Sequence, residues 1–121
     1  MQRIFMLRFL VLSSLLVTSI YSTEVQADCD ISGIWKHSTK PAKLLVDLSK
    51  GEISVHSHDN NAKAVGLVVL KGLKSGLTSA NWDAKMYSAA QDSFVDVQII
   101  SEGCNQLSVD FNGEEVLELL R

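Results

Sequence analysis

The chain is poor in the residues from which most recognisable active sites are built. Its 121 residues hold one proline, two cysteines and three histidines, and aromatics make up 7%. No Gly-x-Ser-x-Gly elbow, Gly-rich phosphate loop or Cys-x-x-Cys pair occurs, so the sequence offers no motif for acyl transfer, phosphate cradling or dithiol redox chemistry. Lysines are scattered singly from Lys36 to Lys85. Without a basic cluster there is no electrostatic footprint for nucleic acid or anionic headgroups. No repeat, linker or convincing helical period appears. The single Pro41 falls in a connection, where it costs no ladder hydrogen bond.

The one strongly apolar run is Phe9–Ile20, preceded by Arg3 and Arg8 and followed by Val25-Gln26-Ala27. A run of about 12 residues is too short to span a ~30 Å hydrocarbon core, and its flanks read as a secretory signal with cleavage after Ala27. The expected organisation is therefore a signal peptide over 1–27 and a single domain over 28–121. That domain keeps nine Lys and Arg against thirteen Asp and Glu, a balance of −4. Cys29 and Cys104 both lie in it. In an oxidising compartment two thiols in so small a domain are expected to pair. Asp28 before Cys29 is the wrong residue for a lipoprotein signal, so no membrane anchor is expected after cleavage.

Short alternating runs bounded by turn residues fill the rest. The pattern predicts strands at Gly33–His37, Lys43–Ser49 (Leu44, Val46 and Leu48 on one face), Glu52–His58, Ala64–Gly72, Asn81–Ala89, Phe94–Ser101, Cys104–Phe111 and Glu114–Arg121. The run Val65–Leu70 is apolar on both faces, which predicts a strand covered on both sides or lining a groove. Lys74–Ser79 reads as a loop. Asn112-Gly113 is a strong hairpin signal, because a type I′ turn needs positive φ at both central residues. It favours a strand for the last run, although Val116, Leu117 and Leu120 also have helical spacing. About eight strands with hairpin-length connections give an all-β fold, a short eight-stranded up-and-down antiparallel barrel whose closure leaves no sticky edge.

Gly33-Ile34-Trp35 on the first strand and Arg121 at the end of the last resemble the Gly-x-Trp and late Arg that close the bottom of lipocalin-like (calycin) barrels. Further residues resemble a family of small secreted bacterial proteins, a domain of unknown function. These are Gly33-Ile34-Trp35-Lys36, Lys50-Gly51, Asp59-Asn60-Asn61, Gly66-Leu67 and Gly72-Leu73-Lys74, with Trp82 and Tyr87 in the following strand. The chain departs from that pattern at Leu119-Leu120-Arg121, where the family carries a Trp, and at Ala89-Ala90, where it carries Asp-Pro. The resemblance implies a calycin-like barrel in the bacterial periplasm or outside the cell, with no established catalytic residues.

His56-Ser57-His58-Asp59 is the one constellation with metal-ligand character. Residues i and i+2 share a strand face, so both imidazoles with Asp59, and His37 as a further candidate, can be drawn as ligands for Zn²⁺ or Cu²⁺. The competing reading is a solvated polar face opposite Ile53 and Val55. Asp83, Asp96 and Asp110 fall on outward faces and offer no acid–base pair. The apolar set that includes Trp35, Leu44, Val46, Val97, Leu107 and Val109 is read as a packed core, with any site confined to one mouth. Trp35, Trp82, Met86 and Arg121 are the mouth candidates, Arg121 with a structural share through cation–π packing on Trp35. The functional expectation is an exported, non-enzymatic barrel without a cofactor. It would bind a small apolar or amphipathic molecule, or a peptide end. The alternative is a solid-cored envelope protein that meets a protein partner.

Overall fold

The computed structural model describes residues 29–121. The expected export signal lies outside the described residues. Eight strands follow one another: β1 (Gly33–His37), β2 (Ala42–Asp47), β3 (Glu52–His58), β4 (Val68–Ser75), β5 (Asn81–Ser88), β6 (Ser93–Glu102), β7 (Gln106–Phe111) and β8 (Glu114–Leu120). Each is hydrogen-bonded to its sequence neighbour and β8 returns to β1, which closes an up-and-down antiparallel barrel. Among the described residues no helix is long and apolar enough to cross a membrane.

Alternation is what makes these segments strands with a dry inner face. Ile53 and Val55 on β3, Val97 and Ile99 on β6, Leu107 and Val109 on β7, and Leu117 and Leu119 on β8 all turn inward and are buried. Asn112 and Gly113 both have positive φ (53° and 82°), the geometry of a tight I′ hairpin between β7 and β8. That turn settles the last run as a strand. Leu117 and Leu119 are its core residues, while Val116 and Leu120 are exposed.

Three expectations are corrected. The predicted strand at Ala64–Gly72 begins four residues later. Ala62–Ala64 is a 3₁₀ turn and Gly66 adopts φ +90°, so Val65 and Leu67 lie on the rim, more than half exposed, and only Leu70 of that run is buried. The strand then runs on through Lys74 and Ser75, where a loop was expected. Gly72 at φ +65° lets it continue: pairing shifts from Lys71↔Lys85 to Lys74↔Asp83, a bulge with its extra residue on β4. Leu48 also falls outside the core, being 43% exposed in the β2–β3 turn.

Three more bulges bend the barrel. Their extra residues are His56 on β3, Val69 on β4 and Val116 on β8. Inside, nine side chains are less than 2% exposed, among them Trp35, Ile53, Leu70, Ile99, Leu107 and Leu119. They belong to one contiguous cluster, so the barrel is filled by its own side chains. Leu119→Ala should therefore cost about 2–5 kcal/mol in chemical denaturation. Leu77→Ala, at a fully exposed turn position, should stay within about 0.5 kcal/mol of the parent.

Candidate functional site

The two ends of the barrel differ. One is plugged by residues 29–32, which cross it as a strap and drive Ile31, fully buried, into the core. Cys29 is joined to Cys104 with a Cα–Cα distance of 5.3 Å, so the expected pairing is present. Trp35 donates its indole N–H to the Ile31 carbonyl at 2.8 Å. The Arg121 guanidinium lies 4.2 Å from the centre of the Trp35 ring. Its Nη1 donates to Ser32 O at 3.1 Å, and its Nη2 to Asp30 O at 2.9 Å and Cys104 O at 3.3 Å. Ser32 donates its N–H and hydroxyl to Asp30 Oδ1, and these bonds, with the nearby Arg121, hold the Asp30 carboxyl below its ordinary value.

This geometry separates the four residues read as mouth candidates. Trp35 is 1% exposed and, like Arg121, is part of the plug. Trp82 sits half-buried at the start of β5, opposite Ile99 and Ser75, toward the same end. Met86 alone belongs to the far end. There it lines an apolar notch of about 180 Å³ with Tyr87, Val95, Val97, Phe111 and Val116. Beside it, Tyr87 packs edge-on against Phe94 with ring centres 5.7 Å apart and donates its hydroxyl to Asp92 at 2.7 Å.

A larger concavity, an open groove of about 860 Å³, crosses the outer face over β4–β7. Ladder register lines up Lys74, Asp83, Gln98 and Asp110 across four strands. Lys85 and Asp96 pair in the adjoining row at 2.5 Å. The bonded Lys85 ammonium, helped by Lys74, keeps the Asp96 carboxyl below its usual range. The three aspartates thus face outward as expected, but on one concave surface rather than scattered. Val97 lines both groove and notch, and the β7–β8 hairpin supplies Asp110, Asn112 and Gly113 to the one and Phe111 and Val116 to the other. The two concavities adjoin around that hairpin.

The proposed metal set does not assemble. The bulge falls at His56, with Val55 opposite Leu44 and Ser57 opposite Lys43. This breaks the alternation that would put both imidazoles on one face. Among the described residues no three His, Cys, Asp or Glu side chains converge to hold a metal ion. Two histidines instead fasten turns. His37 Nδ1 accepts the N–H groups of Thr39 (3.1 Å) and Lys40 (3.2 Å), and His58 Nδ1 accepts that of Asn60 (3.2 Å). Sequence reading missed this role. The available signal was a histidine two residues before a polar turn, the position where Asx side chains cap turns. It also missed Ser108, a 6% exposed hydroxyl that donates to Glu115 at 2.6 Å on the outer face of β7 and β8.

Set against family models, curated proteins and solved structures, the chain matches none. The barrel presents an apolar notch the size of about one side chain, a polar groove beside it, and a covalently stapled opposite end.

Removing both Cys29 and Cys104 by serine substitution should cost about 4 kcal/mol for a crosslink spanning 75 positions, as read from denaturant midpoints. Arg121→Met should lose about 1–3 kcal/mol. Arg121→Lys should recover little of it, because a single ammonium cannot stack on Trp35 while reaching three carbonyls.

Proposed function

We propose that this protein is an exported, non-enzymatic interaction module. It meets a partner polypeptide at the β7–β8 hairpin, with an apolar partner side chain in the Met86–Phe111–Val116 notch and polar contacts along the neighbouring groove. The observation that carries this reading is the adjacency of those two concavities on an otherwise filled barrel. An apolar anchor site rimmed by hydrogen-bonding and charged groups is the usual anatomy of a protein-recognition surface.

Size argues against the small-molecule alternative. Pockets that enclose drug-sized ligands run to about 300–1,000 Å³ and are mainly apolar. The apolar notch, at about 180 Å³, is large enough for about one side chain. The roomy groove is open and lined by Lys74, Asp83, Lys85, Asp96 and Asp110. Export is supported by the leader-like residues 1–27 and by the Cys29–Cys104 disulfide, which suits an oxidising compartment. The resemblance to small secreted bacterial barrels points the same way.

Titration with a fluorescent fatty-acid probe should show no saturable binding, and micromolar saturable binding would overturn the reading. Crosslinking in envelope extracts should recover a protein partner. Val116→Lys, at an exposed position, should weaken that capture by about tenfold or more while leaving the thermal midpoint unchanged. Equal capture by parent and variant would remove the notch from the interface.

A further inference from the structure

The seam that closes the barrel is short. β1 and β8 pair at two positions, Lys36↔Leu120 and His37↔Leu119. At the plugged end it is backed by Arg121 and the disulfide. At the far rim it is backed by the β1–β2 turn, which Ser38 ties to β8 by donating its N–H to Glu118 O at 3.0 Å. The same turn is tied to the β3–β4 connection, where Asp59 donates its N–H to Pro41 O at 2.9 Å. Inside this turn, His37 Nδ1 accepts two backbone N–H groups. His58 Nδ1 accepts one, from Asn60, in the connection that begins at Asp59.

A ring nitrogen that accepts a hydrogen bond carries no proton. Protonation would turn the His37 cap into a donor facing two backbone donors, with only the Thr39 hydroxyl, 3.4 Å away, able to turn and accept. The charges around His37 add to that conflict. Lys36 lies on its own strand, Lys40 in its turn and Lys43 opposite Lys36 on β2. From β3 come His56 and His58, with Asp59 beyond. From β8 comes Glu118, whose carboxylate is taken by the Gln106 amide. No carboxylate oxygen lies within 4.0 Å of a ring nitrogen of either capping histidine among the described residues. Burial, then the charges of Lys40 and His58, hold His37 below the ordinary imidazole range.

We infer that the far end of the β1–β8 seam is a proton-operated latch, closed while His37 is neutral and released in mildly acidic surroundings. The sign follows from linkage. The opened turn takes up a proton near the ordinary value of about 6.5, the closed turn only below it. Closure is therefore fully supported above about pH 6.5, and that support is lost as pH falls through the lowered native value. The disulfide and Arg121 keep the other end joined, so release opens the rim without unfolding the barrel. The inference does not depend on the partner proposed above.

The test is NMR on the full folded domain. At pH 8 the nitrogen spectrum of His37 should show an unprotonated Nδ1. Protection of the Thr39 and Lys40 amides, relative to unstructured-peptide exchange rates, should fall by up to about tenfold per pH unit below about 6.5. The Arg121 amide, bonded to Asn105 O at the plug, should keep its protection. His37→Asn retains an acceptor at the cap but cannot titrate, and its profile should be flat. A proton on Nδ1 at pH 8, constant protection from pH 8 to 5, simultaneous loss at Arg121, or a wild-type pH profile in His37→Asn each overturns the latch. Should that variant fail to fold, the wild-type tautomer and exchange profile decide.

Discussion

The guanidinium of Arg121 over the Trp35 ring is the contact on which the closed barrel depends. An eight-stranded meander has no edge problem only if its last strand finds its first, and here that meeting is two residue pairs long. Two pairs and the adjoining Ser38–Glu118 bond make a short seam to set against the entropy of separating two strands. Arg121 supplements them by gathering three carbonyls from two distant parts of the chain, Asp30 and Ser32 in the strap and Cys104 in the β6–β7 turn. Cation–π packing against a buried indole fixes the direction of approach. The disulfide joins the same two segments covalently. Stacking, hydrogen bonds and a crosslink thus converge on one end, which leaves the other end held only by backbone and turn bonds.

Much of this barrel was legible in the sequence because a strand with one dry face writes its period into the residue order. β1 and β3 coincide with their predicted bounds, and the Asn112-Gly113 turn has the backbone its residues demand. What was not legible is where the period breaks. Bulges at His56, Val69, Gly72 and Val116 each insert one residue, and one inserted residue exchanges inner and outer faces beyond it. Of these only Gly72 carries a backbone signal, a residue able to take φ +65°. The apolar run Val65–Leu70 illustrates the limit. Its composition reads as a buried strand, while Gly66 and the 3₁₀ turn place half of it on the rim.

The candidate site was less legible than the fold, for a related reason. Periodicity says which way a side chain points, not which end of the barrel it reaches. Trp35, Trp82, Met86 and Arg121 all read as mouth residues, and the strand directions send Met86 to one end and the others to the opposite one. The histidines failed differently. His56 and His58 resemble ligands only if the strand between them is regular, and the bulge makes it irregular. The capping role of His37 and His58 depends on turn geometry that a search for ligand spacing passes over.

The division of labour between the ends gives the barrel a mechanical polarity. A uniformly sealed cylinder of this size has one cooperative transition, because every seam must fail together. A cylinder stapled at one end and capped by the neutral His37 imidazole at the other has a second, smaller transition available. That transition costs only the turn bonds and two strand pairs. The recognition surface sits toward this looser end: Val116 of the notch belongs to β8, the strand that the His37 turn holds in place. Local opening at the rim therefore reaches the notch before it reaches the core. The physical reason is that the core residues nearest the staple, Ile31 and Trp35, are shielded by the disulfide and by the Arg121 contacts.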